Sequence, residues 1–556
     1  MKEGLFIYKK LISEIGLKKN IFYIFPILIF IASIFEILSL GILYPVSQFL
    51  IDNNVTEKYS FLPKNLNYNI FIPLTMILVF GLKFVYLSIL SYKKNSFVSN
   101  VNMEFSELMA KRIEQFDFLD YNKINDSEKI RLIHRESMYL GDYTLTLINL
   151  ISEVLITLMI TLLLIFNNVY IAGLLMLVGI ISMLFYKLII NRTSLLSKGR
   201  VEQDYYINNS LYKLVKSYKS IIVFDKLKYY LKDFKLANNL KAKLIANLQT
   251  IQSIQSYFLE TIFIVIISLI LLSGTYLKLD FINMVPMLVL FFAGLIKIMP
   301  SINKISYLSS TRIVLDEHLK ILFDYCFNYK LKEKKNGGIE DVFKDSIRFS
   351  NLSFSYGKKK ILNNLNFEIK KGDVFGITGL SGSGKTTILN LLLGLIKPDS
   401  GEILIDGSNK SKTGNFQKKI GLCDQTIFLT NDSIETNITM GDKDFSTNFY
   451  NSIIEKTQLK NFISNIDNDF IIDEATNNIS GGQLQRIGIA RALFSNREIL
   501  ILDEFTSAID PKTKITILNN LFKKRDNKTF IIVSHDSEVI KYCNKVIDLN
   551  DIDEKK

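Results

Sequence analysis

Six stretches of this chain are apolar over lengths that a soluble domain rarely needs. They run over about 21–50, 70–92, 143–166, 169–190, 257–279 and 281–305. A helix needs ~20 largely apolar residues to cross the hydrocarbon core of a bilayer. The six stretches are therefore predicted to be membrane-spanning helices. The first is longer than one crossing requires, which predicts tilt or an extension past the lipid.

Loop charge sets the expected orientation. The N-terminal tail carries Lys2, Lys9, Lys10, Lys18 and Lys19, and the stretch 93–140 carries Lys93, Lys94, Lys111, Arg112, Lys129, Arg131 and Arg135. The stretch 191–256 is basic as well, whereas 51–69 holds only Lys58 and Lys64 and 167–168 holds no basic residue. Cytoplasmic loops collect Lys and Arg, so the basic loops and both chain ends are expected inside. This accounts for a formal net charge of +13 without nucleic acid as a partner. The first apolar stretch is too long for a signal peptide, and no small-residue cleavage site follows a short apolar run. The three cysteines, Cys326, Cys423 and Cys543, give neither a disulfide framework nor a metal-ligand cluster, and they fit a reducing compartment.

Apolar character stops near Ile305. A charged, glycine-containing stretch over 329–342 reads as a linker between a transmembrane domain over 1–328, with long cytoplasmic loops, and a soluble domain over 343–556. In the soluble part short β-rich runs alternate with helical runs, the pattern of an α/β domain with a mainly parallel sheet.

The strongest motif is Gly379-Leu-Ser381-Gly382-Ser383-Gly384-Lys385-Thr386-Thr387, between the apolar run Val374–Thr378 and a helical run. Strand, glycine loop and helix make the context of a P-loop. Inward-turned backbone N–H groups and the helix N-terminus cradle phosphate oxygens. Lys385 is expected to reach the β- and γ-phosphates of ATP, and Thr386 to offer its hydroxyl to Mg²⁺. A second motif, Ile499-Leu-Ile-Leu-Asp503-Glu504, is a buried strand ending in two carboxylates. Asp503 is placed to organise Mg²⁺ and Glu504 to polarise the attacking water.

Between the two lies Ile479-Ser480-Gly481-Gly482-Gln483, which resembles the signature of the ABC transporter family. Other residues follow in that family's order. Tyr356 matches the adenine-stacking aromatic, Gln425 the Q-loop glutamine, Ser507-Ala-Ile-Asp510 the D-loop, and His535 the switch histidine. The chain thus looks like an ABC exporter half-transporter, with a six-helix membrane bundle fused to an α/β P-loop ABC ATPase. The resemblance implies ATP and Mg²⁺ as cofactors, with Gln425 joining Thr386 and Asp503 at the metal. It implies Glu504, His535 and Gln425 as the hydrolytic residues. It also implies a head-to-tail homodimer in which Ser480 of one copy meets the phosphate held by Lys385 of the other. The regions Phe118–Ile133 and Lys216–Asp225 are coupling candidates. The chain departs from the family pattern at Ile479, at Phe505, at Asp473-Glu474-Ala475, and in stopping soon after Asp548; none of these removes a hydrolytic group.

Ionisable residues within membrane helices usually face a cavity or a partner. Glu36, Glu153, Glu260 and Lys297 stand out. Phe35-Glu36, Tyr44-Pro45, Tyr257-Phe-Leu-Glu260 and Lys297-Ile-Met-Pro300 with Asn303 are similar to the bacterial lipid-linked oligosaccharide flippases of the PglK type. That resemblance implies an anionic lipid-linked glycan as substrate, flipped outward across the bacterial cytoplasmic membrane, with Lys297, Glu36 and Glu260 at the substrate. Pro300 is expected to bend or open its helix, presenting Lys297 and Asn303 together. The same fold also serves export of peptides, bacteriocins or drugs. The kind that processes its peptide carries an N-terminal cysteine protease, and no cysteine precedes the first apolar stretch here. A DNA-repair ATPase with the same signature would lack the six apolar segments.

Overall fold

A computed structural model describes residues 2–16, 20–51, 68–167, 169–276, 281–332, 343–409, 416–467, 470–473, 478–523 and 527–550. The chain divides into two compact units, Met1–Phe116 with Asp120–Leu331, and Asp117–Leu119 with Lys332–Lys556.

The first unit is helical. Its elements are α1 (Lys2–Glu14), α2 (Asn20–Gly41), α3 (Leu43–Ile51), α4 (Tyr68–Glu114), α5 (Phe118–Lys123) from Asp120 onward, α6 (Asp126–Arg131), α7 (Ser137–Asn167), α8 (Val169–Lys216), α9 (Tyr218–Val223), α10 (Leu227–Tyr276) and α11 (Phe281–Phe327). Among the described residues four runs of helix, Ile24–Gln48, Ile70–Glu114, Asp126–Phe166 and Val289–Phe327, are long and apolar enough to cross a membrane. Helices α8 and α10 cover the predicted segments 169–190 and 257–276; residues 277–279 of the latter lie outside the described residues. Large apolar side chains such as Ile27, Ile77, Phe84 and Phe166 stand exposed, as lipid-facing positions do. The candidate region Phe118–Ile133 contains the short helices α5 and α6, and Lys216–Asp225 contains α9.

The first predicted segment is one helical run with a single irregular residue, Ile42, between α2 and α3. The ladder continues across it, with Ile42 N donating to Leu38 O at 3.1 Å and Val46 N to Ile42 O at 3.3 Å. Gly41 adds no side-chain stabilisation to a helix, and Pro45 falls in the first turn of α3. A proline is tolerated there because first-turn N–H groups lack helical partners anyway, whereas in mid-helix it breaks the ladder.

Packing in this unit follows two regimes. Leu11, Phe105, Met109, Leu140, Tyr143, Leu319 and Leu322 form one buried cluster joining α1, α4, α7 and α11. Outside lipid, burying each such side chain stabilises by about 1.5–3 kcal/mol. The Tyr8 hydroxyl adds a buried 2.9 Å hydrogen bond to Thr144 Oγ1. Within lipid the hydrophobic drive between helices disappears, so close packing and polar contacts must hold the bundle.

The second unit contains two sheets. An antiparallel one has the order β2-β1-β4-β5, from β1 (Ser346–Tyr356), β2 (Lys359–Lys370), β4 (Ser400–Ile405) and β5 (Ser408–Asn409). A parallel one has the order β6-β7-β8-β3-β9, from β3 (Val374–Thr378), β6 (Ile420–Cys423), β7 (Ile499–Asp503), β8 (Thr529–Val533) and β9 (Lys545–Asp548). Strands β7 and β8 are buried at every position. Strands covered on both faces read as continuous apolar runs, as Ile499–Leu502 does. Helix α12 (Lys385–Leu393) follows β3; α13 (Ile434–Thr439), α14 (Thr447–Lys456), α15 (Lys460–Ser464) and α16 (Gly481–Phe494) lie between β6 and β7, and α17 (Pro511–Phe522) follows β7.

Candidate nucleotide site

In open parallel sheets, ligands bind at the carboxyl ends of the strands. Four neighbouring strands end here at residues singled out by the sequence. Strand β6 leads to Gln425, preceded by Asp424, which the sequence did not mark; β7 ends at Asp503 and Glu504, β8 leads to His535, and β3 runs into the glycine loop.

The loop needs its glycines. Gly379, Gly382 and Gly384 have φ of 143°, 86° and 99°, conformations that only glycine adopts readily. The Lys385 side chain is buried and folds back onto its own loop, donating to Gly379 O at 2.7 Å and Leu380 O at 2.9 Å. Burial lowers its pKa, while Glu504, Asp503 and Asp548 push it up. The Ser383 hydroxyl is buried without a protein partner. An orphaned donor, a turned-in ammonium and the start of α12 suit the phosphates of a nucleotide. Thr386 stands exposed on the first turn of that helix.

Asp503 is buried at the end of β7, and its pKa is pushed up to about 6, first by burial and then by Asp424 and Glu504, with Lys385 opposing. Three carboxylates against one lysine leave a deficit of positive charge that a divalent cation fits. The signature of Asp424 is legible only in space: nothing in its local sequence separates it from a surface acid.

Glu504 is held in the left-handed region, φ 44°. Its N–H donates to Val533 O at 2.9 Å. Its Oε2 accepts from Gln425 Nε2 at 2.9 Å, and its Oε1 lies 3.5 Å from His535 Nε2. The structure thus gathers Gln425, Glu504 and His535 around one carboxylate. Tyr356 ends β1 half-exposed, edge-on to Phe354 at 4.9 Å.

Ser480 caps α16 in a capping box: Gln483 N donates to Ser480 Oγ at 3.2 Å, and Ser480 N donates to Gln483 Oε1 at 2.7 Å. A Cβ on Gly482 would lie 3.0 Å from Ala508 O, so the first turn of α16 presses on the D-loop. Asp510 caps α17, accepting from Thr513 N at 3.0 Å. Among the described residues no hydrogen bond joins Ser480–Gln483 to the glycine loop of the same chain.

Residues 362–507 match the ABC transporter family model. The structure is similar to that of a bacterial Atm1-family ABC exporter with ATP bound, with a TM-score of 0.77 at 19% identity, covering 94% of this chain and 92% of that one. It has the fold of an ABC exporter half-transporter, with an ABC ATP-binding domain of the kind that hydrolyses ATP. Over 225 residues the chain is 40% identical to the alpha-hemolysin translocation ATP-binding protein HlyB of Escherichia coli O157:H7, covering 39% of this chain and 31% of that protein. Over 209 residues it is 35% identical to the ATP-dependent lipid A-core flippase of Desulfotalea psychrophila, covering 37% of this chain and 36% of that protein. The exporter-fold chain thus spans about a third of the length of the curated relatives it matches. Its apolar helices make it a multi-pass membrane protein.

The helical unit of this exporter fold holds a second polar cluster, which sequence reading caught in part. Glu36 on α2 accepts from Lys83 Nζ of α4 at 2.7 Å, and Lys83 also donates to Ser39 Oγ at 2.9 Å. Lys297 Nζ of α11 lies 3.5 Å from the same Glu36 oxygen. Glu36 and Lys83 are buried, and Lys297 is half-exposed. Lys83 was not among the residues that sequence singled out, though a lone lysine in an apolar run is a signal in itself. Two expectations are corrected. Helix α11 continues through Pro300 without opening. Asn303 is not presented beside Lys297; its amide donates to Ser256 Oγ at 3.0 Å. Glu153 pairs with Lys304 at 3.1 Å. Glu260 stands exposed on α10 and is not part of the Glu36 cluster.

Proposed function

We propose that this chain is an ATP-hydrolysing half-transporter that works as a homodimer and flips an anionic lipid-linked glycan outward across the bacterial cytoplasmic membrane, with both termini inside. The observation that carries the substrate reading is the charge of the Glu36 cluster. Two ammoniums share one carboxylate, and Lys297 remains accessible. A net cation among apolar helices is costly unless an anion answers it, and a phosphate-bearing lipid head group is such an anion. The lipid A-core flippase among the relatives keeps company with this reading.

For hydrolysis, Lys385, Ser383 and the loop N–H groups hold the phosphates of ATP, and Tyr356 offers a face to the base. Thr386, Gln425 and Asp503 hold Mg²⁺, which would supply positive charge against the phosphate oxygens. Glu504 takes the position of the group that orients water and accepts its proton. His535 and Gln425 fix its two oxygens. Residues Ser480 to Gln483 and Asp510 act on the nucleotide of the second copy. Domains follow the boundaries 1–328, 329–342 and 343–556.

The test is flipping of a labelled lipid-linked oligosaccharide in proteoliposomes, with ATPase activity measured on the same preparation. ATP-dependent flipping with stimulated hydrolysis is the expected result. Protein that hydrolyses ATP, moves no such lipid and exports a peptide would replace this reading with peptide export, the activity toward which the HlyB relative points.

A further inference from the structure

We infer that Gln485 is a positioning residue that sets the backbone of Glu504 and the D-loop from the signature helix; this rests on the ATPase reading above. Gln485 is the fifth residue of α16, and its side chain is buried. Its amide is used on both sides. Nε2 donates to Ser507 Oγ at 2.6 Å and to Glu504 O at 3.3 Å, and Oε1 accepts from Ala508 N at 2.7 Å. One side chain therefore binds three points of the segment Glu504–Ala508.

Those points matter because Glu504 has an uncommon backbone for a residue with a side chain. A carboxylate at φ 44° stays aimed only if its peptide units are fixed at both ends. Val533 O fixes the N–H side, and on the carbonyl side Glu504 O accepts from both Ser507 N and Gln485 Nε2, each at 3.3 Å, with Gln485 holding Ser507 and Ala508 as well. No other side chain among the described residues donates to Glu504 O. The close seat of Gly482 against Ala508 O brings α16 near enough for the glutamine to reach.

Gln485 also sits on the helix that Ser480 caps. Under the homodimer reading, Ser480 meets the partner's phosphate while Glu504 acts at its own site. Gln485 then ties the element that senses one nucleotide to the base that acts on the other. The chemistry needs both a donor and an acceptor at one end of a side chain of this length, which among uncharged residues only Gln supplies here.

Gln485→Glu keeps the acceptor for Ala508 N and removes both donors; Gln485→Met keeps the length and removes all three bonds. In the full-length protein, Gln485→Glu is expected to lower kcat about tenfold or more, while the ATP KM, MgATP affinity without turnover and Tm stay near wild type. Gln485→Met should lower kcat further. The deciding readout is a cycle with Glu504→Gln, since coupled residues are non-additive: in that background Gln485→Glu should change residual hydrolysis less than twofold. A wild-type kcat in Gln485→Glu overturns the inference, as do equal effects with and without Glu504, or a loss of Tm and ATP affinity that parallels the loss of kcat. A wild-type protein without ATPase activity would instead overturn the ATPase reading, and it is measured in the same series.

Discussion

Around Asp503 the carboxylates of Asp424 and Glu504 crowd toward one ammonium, Lys385, whereas in the helical unit two ammoniums, Lys83 and Lys297, close on one carboxylate, Glu36. The two sites are opposite in sign and alike in logic. Each leaves buried or half-buried charge that its own side chains do not balance, and each is thereby shaped for an ion of the missing sign. The first suits a divalent cation beside phosphate, the second an anion. The difference lies in how much else is fixed. The ATPase site adds a glycine cradle, a helix N-terminus and a carboxylate held from two sides, while the Glu36 cluster has only its charges and one serine.

The most damaging blow to the first site should be Glu504→Gln. It keeps the shape and the bond from Gln425 in mirrored form but removes the base. Hydrolysis should fall on the order of a hundredfold or more, with ATP still bound, as read by steady-state phosphate release and nucleotide retention. Near-normal turnover would show that this carboxylate is only one of a solvated group, and the comparison would lose its catalytic half.

In the helical unit the matching lesion is Glu36→Ala, which strands Lys83 in the bundle. Removing one partner of a buried pair costs about 3–5 kcal/mol, so folded yield and thermal stability in detergent should drop markedly. Replacing Lys83 with Met in the same chain should recover much of the loss. Equal stability of Glu36→Ala and wild type would mean that water or lipid already neutralises the cluster.

Acid should separate the two sites. The Asp503 pKa stands near 6 instead of 3.8, so the fold favours its protonated form. In Mg²⁺-free protein this contribution to stability is present at low pH and is lost as pH rises through about 6. Mg²⁺ needs the ionised form, so ATPase activity should fall about tenfold per pH unit below the midpoint, as a single titration does. Raising Mg²⁺ should move that limb to lower pH. An acid limb that ignores Mg²⁺ would assign the titration to another group.

The smallest effect is expected from Lys297→Ala. Exposed and 3.5 Å from Glu36, it should contribute little to stability. Basal ATPase activity should persist and stimulation by lipid-linked oligosaccharide should fall several-fold, with Lys297→Arg retaining much of it because Arg also grips phosphate. If Lys297→Ala flips as well as wild type, Lys297 is a helix-end lysine and the cluster is structural.

Legibility in the sequence follows the range of the interactions. The glycine loop, the Asp503-Glu504 strand end and the Ser480 cap are each encoded within a few residues, because glycine φ, strand burial and capping are local. Lys83 is different. What gives it meaning is Glu36, 47 residues earlier, and no local pattern joins them. The same holds for Asp424, which matters through strand ends that meet only in the sheet, and for Gln485, whose partners lie in the loop after β7. Asn303 was misjudged because helix periodicity places it relative to Lys297 but says nothing of Ser256 on another helix. The irregularity at Ile42 is written in Gly41 and Pro45, whereas the length of the run alone predicts tilt.

The Lys385 side chain, closed onto Gly379 O and Leu380 O, bears on how experiments with this protein should be controlled. A lysine mutant is the customary stand-in for a transporter that cannot use its fuel. Here the ammonium also ties together the loop in which it sits, so Lys385→Ala removes a brace as well as a ligand and frees two inward carbonyls. Any change of shape or transport seen in that variant mixes two causes. Glu504→Gln leaves the brace untouched, which makes it the cleaner reference for a machine that is loaded but does not fire.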